Sequence, residues 1–265
     1  MKKIISLVMA TVMLLTVMTT AISVSASETE TTAVGDSGTV GTISWRLDSN
    51  GTLTLSGEGY MPEFSIGDAP WTGYDVRDSV KTAVIGAGIK SISAYAFYEN
   101  ENLKTVTFLA NSKLEKISQY AFEYSGIESI VLPSSLKTID SYAFYQTESL
   151  TSISSNASVT LDQYALSYCN NLTNVNMPNA TFGTYTFGSS SNLQTLSAGT
   201  LKEYALYQIS SLKTVNLTNA KSIGKYALYG CNNIKTISSN ATTVGDRAFY
   251  NCYSLQTVNL PKATS

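Results

Sequence analysis

From Ile92 to Leu260 the apolar positions recur in blocks: an aliphatic residue, two spacers, a Tyr-Ala-Phe-like triplet, and a run of the form L-x-x-V-x-L. The triplets begin at Tyr95, Tyr120, Tyr142, Tyr164, Tyr185, Tyr204, Tyr226 and Arg247, with spacings of 25, 22, 22, 21, 19, 22 and 21 residues. A period near 22 residues means one supersecondary unit stacked on copies of itself, so stacking explains most positions without any site. Within a unit such as Ile139 to Ile153, Ile139 points inward from a short extended segment. Ala143 and Phe144 begin what reads as a tight helical turn, and Leu150 and Ile153 return to the core. In Leu103-Lys-Thr-Val106-Thr-Phe108 and Leu212-Lys-Thr-Val215-Asn-Leu217 the last residues alternate with period two, as a half-buried strand requires. Parallel stacking of such strands at about 4.8 Å gives a sheet. A lone unit carries too few apolar side chains to offset its ordering entropy, so neighbours must bury both of its flanks. The expected fold is a β-rich α/β solenoid with a parallel sheet on one face, short helical turns on the other and a small β module at its N-terminal end.

The segment before the repeats has a different rhythm. Thr42 to Leu47 alternates, Asp48-Ser49-Asn50-Gly51 has turn chemistry, and Thr52 to Ser56 alternates again, which predicts a β-hairpin. Gly57, Gly59, Pro62, Gly67, Pro70 and Gly73 then break regular structure, with Trp71 and Tyr74 as expected packing anchors, and Val80 to Ile85 restores a strand. Residues 38–88 are placed to cover the apolar cross-section at the start of the solenoid, which occupies 89–265. A ligand-binding module stacking on Trp45, Trp71 and Tyr74 is the functional alternative. Asn259 to Ser265 matches Asn216 to Ser222, which leads straight into another triplet, so the chain reads as eight repeats truncated before a ninth.

Further upstream, Lys2 and Lys3 precede an uncharged stretch reaching Glu28, with small residues at Val24-Ser25-Ala26. That is the layout of a signal peptide over residues 1–26, cleaved after Ala26, with no membrane span in what remains; an uncleaved anchor is the alternative. Residues 27–37 are acidic and Thr-rich and are expected to be a disordered leader. Loss of residues 1–26 leaves 15 basic and 19 acidic side chains, net −4. That balance provides no footprint for nucleic acid.

Much chemistry is excluded by composition. The 265 residues include no histidine, which removes Ser-His-Asp and Cys-His catalysis and the commonest transition-metal ligand. No cofactor or phosphate-binding phrase occurs. Two carboxylates would suffice for a glycosidase, but the 19 acids are scattered. Asp48, Asn50 and Gly51 are better read as a hairpin turn than as a calcium loop. Cys169, Cys231 and Cys252 all stand five residues after the first position of their triplets. That slot suits a small hydrophobe, and a bridge between Cys231 and Cys252 on consecutive repeats is the alternative.

Two surfaces remain as candidates for recognition. On the strands a neutral band includes Thr105 and Thr107, Asn174 and Asn176, and Thr214 and Asn216; it could hydrogen-bond a peptide or glycan, or simply be solvated. Tyr98, Tyr145, Tyr207, Tyr229 and Tyr250 each follow a triplet directly, forming with the triplet residues a double aromatic row. That row is either contact surface or an inter-repeat packing ladder.

The phrases L-x-x-V-x-L and I-x-x-Y-A-F, with proline after the strand at Pro133, Pro178 and Pro261, resemble the BspA-type leucine-rich repeats. The block from Trp45 through Gly51-Thr-Leu53-Thr-Leu55-Ser-Gly57 to Ala69-Pro70-Trp71 is similar to the segment that often introduces them in secreted proteins of Gram-positive bacteria. The resemblance implies a secreted or surface-attached, non-enzymatic protein without cofactors, which adheres to an extracellular protein or glycan on host or neighbouring cells. A structural spacer presenting a further C-terminal domain, and a carbohydrate-binding module, are the alternatives. Oligomeric state has no signature in the sequence.

Overall fold

A computed structural model describes residues 35–74 and 76–264. The expected signal peptide and residues 27–34 of the leader lie outside the described residues. Three strands open the body: β1 (Ser37–Val40), β2 (Ile43–Leu47) and β3 (Thr52–Gly57), each antiparallel to the next. The hairpin turn forms because the Asp48 carboxylate accepts the backbone N–H groups of Asn50 and Thr52 at 2.9 and 2.8 Å, which uses that side chain in an Asx-type turn. Residues 35–37, assigned by composition to the leader, belong to this body: Ser37 begins β1 and the Asp36 carbonyl accepts Leu47 N–H at 2.7 Å.

From β3 onward all pairing is parallel. β4 (Thr82–Ile85) lies beside β3 in the register Leu53↔Ala83 and Leu55↔Ile85. Every coil then contributes two strands, not one. The two-residue strands β5 (Ser91–Ile92), β7 (Lys116–Ile117), β9 (Thr138–Ile139) and β11 (Thr160–Leu161) stack in one ladder. A second ladder runs through β6 (Thr105–Phe108), β8 (Ser129–Val131) and β10 (Ser152–Ser154). β12 (Asn174–Phe182) and β13 (Thr195–Leu201) turn the corner and belong to both. Beyond them β14 (Thr214–Asn216) continues the longer ladder, and β15 (Ser222–Ile223) and β17 (Thr243–Val244) the shorter. β16 (Thr236–Ser238) and β18 (Thr257–Asn259) pair with each other as a two-stranded sheet, with a parallel bridge between Leu217 and Ser239 just past β14 and β16. The result is a β-solenoid of about eight turns. The expectation of a sheet on one face only is corrected. The dipeptide before each triplet, Ser-Ile, Lys-Ile or Thr-Ile, is too short to show period two, yet it pairs with its copy above and below.

The helical turns are also absent. Among the described residues the one helical element is a single 3₁₀ turn, Arg77–Ser79. Each of the eight triplet turns instead holds two residues in the left-handed region, four apart. Tyr95 and Glu99, Tyr120 and Tyr124, Tyr142 and Gln146, and so on to Arg247 and Asn251, have φ between 51° and 72°. A left-handed residue reverses the local screw and stops helix propagation. It also turns N–H groups outward along the stacking axis. Phe97 N–H reaches the Ala121 carbonyl at 2.8 Å and Glu99 N–H reaches the Glu123 carbonyl at 3.0 Å; Phe122 to Ala143 and Tyr124 to Tyr145 repeat the pattern. The turns thereby form a third hydrogen-bonded side of each coil.

The core runs unbroken through the coils. Phe97, Phe122 and Phe144 are fully buried and stack with centroids 5.1 and 5.0 Å apart. Ala96, Ala121 and Ala143 beside them are buried because their carbonyls accept from the preceding coil or from Trp71, where a larger side chain would separate the layers. At the N-terminal side Trp71 is fully buried, lies 6.2 Å from Phe97 and donates its indole N–H to the Ala96 carbonyl at 2.6 Å. Tyr74 is no packing anchor: it is 86% exposed, beneath the Arg77 guanidinium at 4.8 Å.

The left-handed pair yields a direct test. Gln146→Gly should leave the denaturation midpoint unchanged or raise it, because glycine adopts this conformation freely. Gln146→Val should cost about 1–2 kcal/mol, since a β-branched residue is least tolerated there. Equal tolerance of the two in urea unfolding would show that the backbone conformation is not what shapes the turn.

Candidate functional site

The strand band occupies the outer surface of the longer ladder. Thr105 and Thr107 on β6, Asn174 and Asn176 on β12, and Thr214 and Asn216 on β14 are all exposed, while Val106, Val175 and Val215 between them are buried. Strand pairing sets these side chains in two rows. One passes through Thr82, Thr105, Ser129, Ser152, Asn174, Thr195 and Thr214, the other through Val84, Thr107, then Val131, Ser154, Asn176, Ser197 and Asn216. Part of the band is internally bonded: Thr195 donates its hydroxyl to Asn174 at 2.9 Å, and Thr218 donates to Asn216 at 2.8 Å. Thr105, Thr107, Asn176 and Thr214 make no side-chain hydrogen bond among the described residues and keep their capacity for a partner. One apolar spot interrupts the rows, where Val131 is 73% exposed and Leu109 is 47% exposed.

Tyrosines occupy the turn side in a less uniform arrangement than two parallel rows. The triplet tyrosines form one continuous stack, Tyr95, Tyr120, Tyr142, Tyr164, Tyr185, Tyr204 and Tyr226, with centroids 5.0 to 5.7 Å apart and planes within 24° of parallel. Arg247 ends it by laying its guanidinium over Tyr226 at 5.8 Å and bonding its hydroxyl at 2.6 Å, which accounts for arginine in that triplet. The outer tyrosines are discontinuous. Tyr207, Tyr229 and Tyr250 stack in sequence at 4.9 and 5.6 Å. Tyr98 and Tyr145 do not meet, because Glu123 holds the intervening position. Each turns its edge to a tyrosine displaced by one residue, Tyr98 to Tyr124 and Tyr145 to Tyr168. Tyr124 and Tyr168 are exposed and belong to this surface. They are hidden in a count aligned on the residue directly after the triplet, and a count one residue further exposes them.

Burial raises the phenol pKa of Tyr95, Tyr142, Tyr145 and Tyr185. Tyr98 is pushed up to about 12 by burial and by its hydrogen bond to Glu99. These five phenols are therefore uncharged at neutral pH. Beside them, burial, followed by the nearby charge of Glu99, lifts the Glu123 carboxyl to about 7.

The cysteine slot proves to be a donor position. Cys169, Cys231 and Cys252 are free and buried, and each Sγ lies 3.1 to 3.2 Å from the carbonyl of the third triplet residue in the preceding coil, Phe144, Leu206 and Leu228. Thr147 and Ser190 donate to Phe122 and Leu166 in the same way, both at 2.8 Å. In these five turns the slot holds a small side chain that donates to the preceding coil, whereas Ser125 stands there buried without a partner and Ile209 has no donor. Burial pushes the Cys169 thiol up to about 12 and raises Cys231 and Cys252 as well, so these groups are poor nucleophiles. Among the described residues no group of three or more acids or cysteines is placed to hold a metal ion.

Glu123 supplies a pH test. Because its folded-state pKa lies above the ordinary carboxylate value, the folded protein binds the extra proton and loses stability as pH rises through that window. Glu123→Gln should therefore melt above the parent at pH 8, and the difference should close as pH falls to about 5. A difference independent of pH would show that the carboxyl titrates normally.

The family model described as "BspA type Leucine rich repeat region" matches six copies, over residues 74–194 and 160–265. No curated protein matches the chain. Among solved structures, a leucine-rich repeat protein from Eubacterium ventriosum is 23% identical, over 83% of this chain and 82% of that one, with a TM-score of 0.36. The pneumococcal vaccine antigen PcpA is 15% identical, over 87% of each chain, with a TM-score of 0.44. The leucine-rich repeat protein of T. pallidum is 15% identical, over 81% of this chain and 88% of that one, with a TM-score of 0.39. Among the described residues no helix is long and apolar enough to cross a membrane. The match of the repeat model across most of the chain, on coils whose apolar, tyrosine and donor positions all recur in phase, places the protein in the BspA-type leucine-rich repeat family.

Proposed function

We propose that this is a secreted, non-enzymatic adhesion protein that engages an extracellular protein partner through the outer surface of its longer strand ladder. The observation that carries the reading is the pair of exposed, in-register rows on that ladder. They combine free hydroxyl and amide groups with the apolar spot at Val131 and Leu109. A broad uncharged surface with a small apolar centre and a hydrogen-bonding surround has the anatomy of a protein interface. Strand spacing holds its side chains at a fixed pitch, so little conformational entropy is lost on binding. The tyrosine side is a second contact surface, with Tyr250 and the displaced Tyr124 and Tyr168 as its exposed members. The signal-peptide layout of residues 1–26 and the family support the reading of secretion and surface display.

The test is capture of host-cell and bacterial-cell surface proteins by the purified chain, followed by competition with soluble repeats. Val131→Lys combined with Thr107→Lys should weaken the captured interaction at least tenfold, about 1.4 kcal/mol or more, without changing the thermal melt, since both side chains face solvent. Unchanged binding by this variant would remove the sheet surface as the interface.

A further inference from the structure

Seven junctions join the eight turns, and six are hydrogen-bonded alike. At each of these six, the N–H groups of the third triplet residue and of the residue two further on reach carbonyls of the next turn. The junction between the turns of Tyr185 and Tyr204 departs from this. There Tyr185 N–H bonds the carbonyl of Tyr204 itself at 3.2 Å, whereas Tyr164, Tyr204 and Tyr226 bond the residue before the next triplet, Thr184, Lys225 and Asp246. The register has slipped by one residue, in the coil with the shortest spacing, 19 residues. Among the described residues, Phe187 N–H, Ser189 N–H and the carbonyls of Ala205 and Tyr207 consequently have no protein partner. Ile209 fills the donor slot of the second turn and offers no hydrogen bond across the gap.

A cleft opens at this seam. Its volume is about 340 Å³, at the small end of ligand-binding cavities. Gly188 stands where other turns place Tyr145 or Tyr207, so no ring fills it. One wall is Gly188, Ser189 and Ser191; the other is Tyr207, Gln208 and Ser210. Tyr185 meets Tyr207 edge to face at 5.6 Å, and the Tyr207 ring lines the cleft. No charged residue lines the space, so it offers nothing specific to a phosphate, a carboxylate or a basic side chain. It offers hydroxyls, an amide, the unpaired Ser189 N–H and Tyr207 carbonyl, and a phenol ring. A ligand matching that set is small, uncharged, ringed by closely spaced hydroxyl groups and apolar on one face.

We infer that the seam between the Tyr185 and Tyr204 turns is a binding site for a neutral hexopyranose unit of a glycan. The sugar's apolar face lies against the Tyr207 ring beside Gly188, and its hydroxyls take up the Ser189 N–H and the Tyr207 carbonyl that the slipped register leaves unpaired. The site lies on the turn side, away from the strand rows, so it stands or falls separately from the strand-row interface.

The experiment titrates the full chain with neutral trisaccharides of glucose, galactose and N-acetylglucosamine, read by saturation-transfer NMR and calorimetry. At least one should bind saturably. Gly188→Tyr restores the ring and fills the cleft; a Cβ at Gly188 meets its nearest neighbour, the Ser167 hydroxyl, at 3.1 Å, so a small shift accommodates it. This variant should weaken binding at least tenfold, Gln208→Ala should weaken it several-fold, and Tyr145→Ala, at an intact junction, should leave it unchanged. Thermal melts establish folding; if Gly188→Tyr does not fold, Gln208→Ala decides alone. No saturable binding by any of the three sugars, or binding undiminished in the folded seam variants, overturns the assignment.

Discussion

The hydrogen bond from one turn to the next is the constraint on which this molecule depends. Strand pairing alone would leave the third side of each coil open, with its N–H and carbonyl groups dependent on water. Two left-handed residues per turn, the triplet tyrosine and the residue four beyond it, aim those groups along the stacking axis and close that side. The conformation is unfavourable for any residue with a Cβ, by roughly 1–2 kcal/mol. Within this array the cost is offset by a paired N–H and, at the first position, by an aromatic stack. Tyrosine suits that position because its ring continues the stack while its hydroxyl remains wet. The same constraint demands a small residue next, since Ala121, Ala143 and Thr186 present the accepting carbonyls at the point of closest approach. It also has a use for a small donor in the slot filled by Thr147, Ser190 and the three cysteines, although Ile209 shows that a coil closes without one.

This accounts for what the sequence made legible. Periodicity near 22 residues, alternation in the longer strands and the inward aliphatics specify a stacked architecture with a common core, and the coils adopt it. Two features of the coil differ from the expectation for local reasons. The Tyr-Ala-Phe triplet contains residues compatible with a helix, and propensity alone has no term for a left-handed residue stabilised only by a neighbouring coil. The shorter strands are two residues long, below the length at which period two can be recognised, and become strands only through pairing. Both are properties of the stack and neither is a property of one repeat.

Candidate sites divide similarly. The exposed rows at Thr105, Thr107, Asn174, Asn176, Thr214 and Asn216 were legible because strand alternation alone determines which side chains face out. The tyrosine surface was legible only in part. Tyr98 and Tyr145 align with Tyr207 by counting, yet Glu123 separates them and recruits Tyr124 and Tyr168 from the adjacent position. In a repeat protein a shift of one residue moves a side chain between columns without disturbing the coil, so column membership requires the backbone as well as the count.

That tolerance also explains why irregularities carry the most information about recognition. A perfectly regular array presents every neighbour with the same bonds already made, and its surface differs from place to place only in side-chain identity. Where register slips, as between Phe187 and Ala205, backbone groups lose their protein partners and the tyrosine column loses a ring at Gly188. An unpaired backbone group shielded from water is destabilising. Ligand hydroxyls at that place satisfy the groups with no reorganisation of the coil, because both flanking junctions remain bonded in the regular pattern. A solenoid built from identical bonds therefore acquires specificity at the places where those bonds are missing.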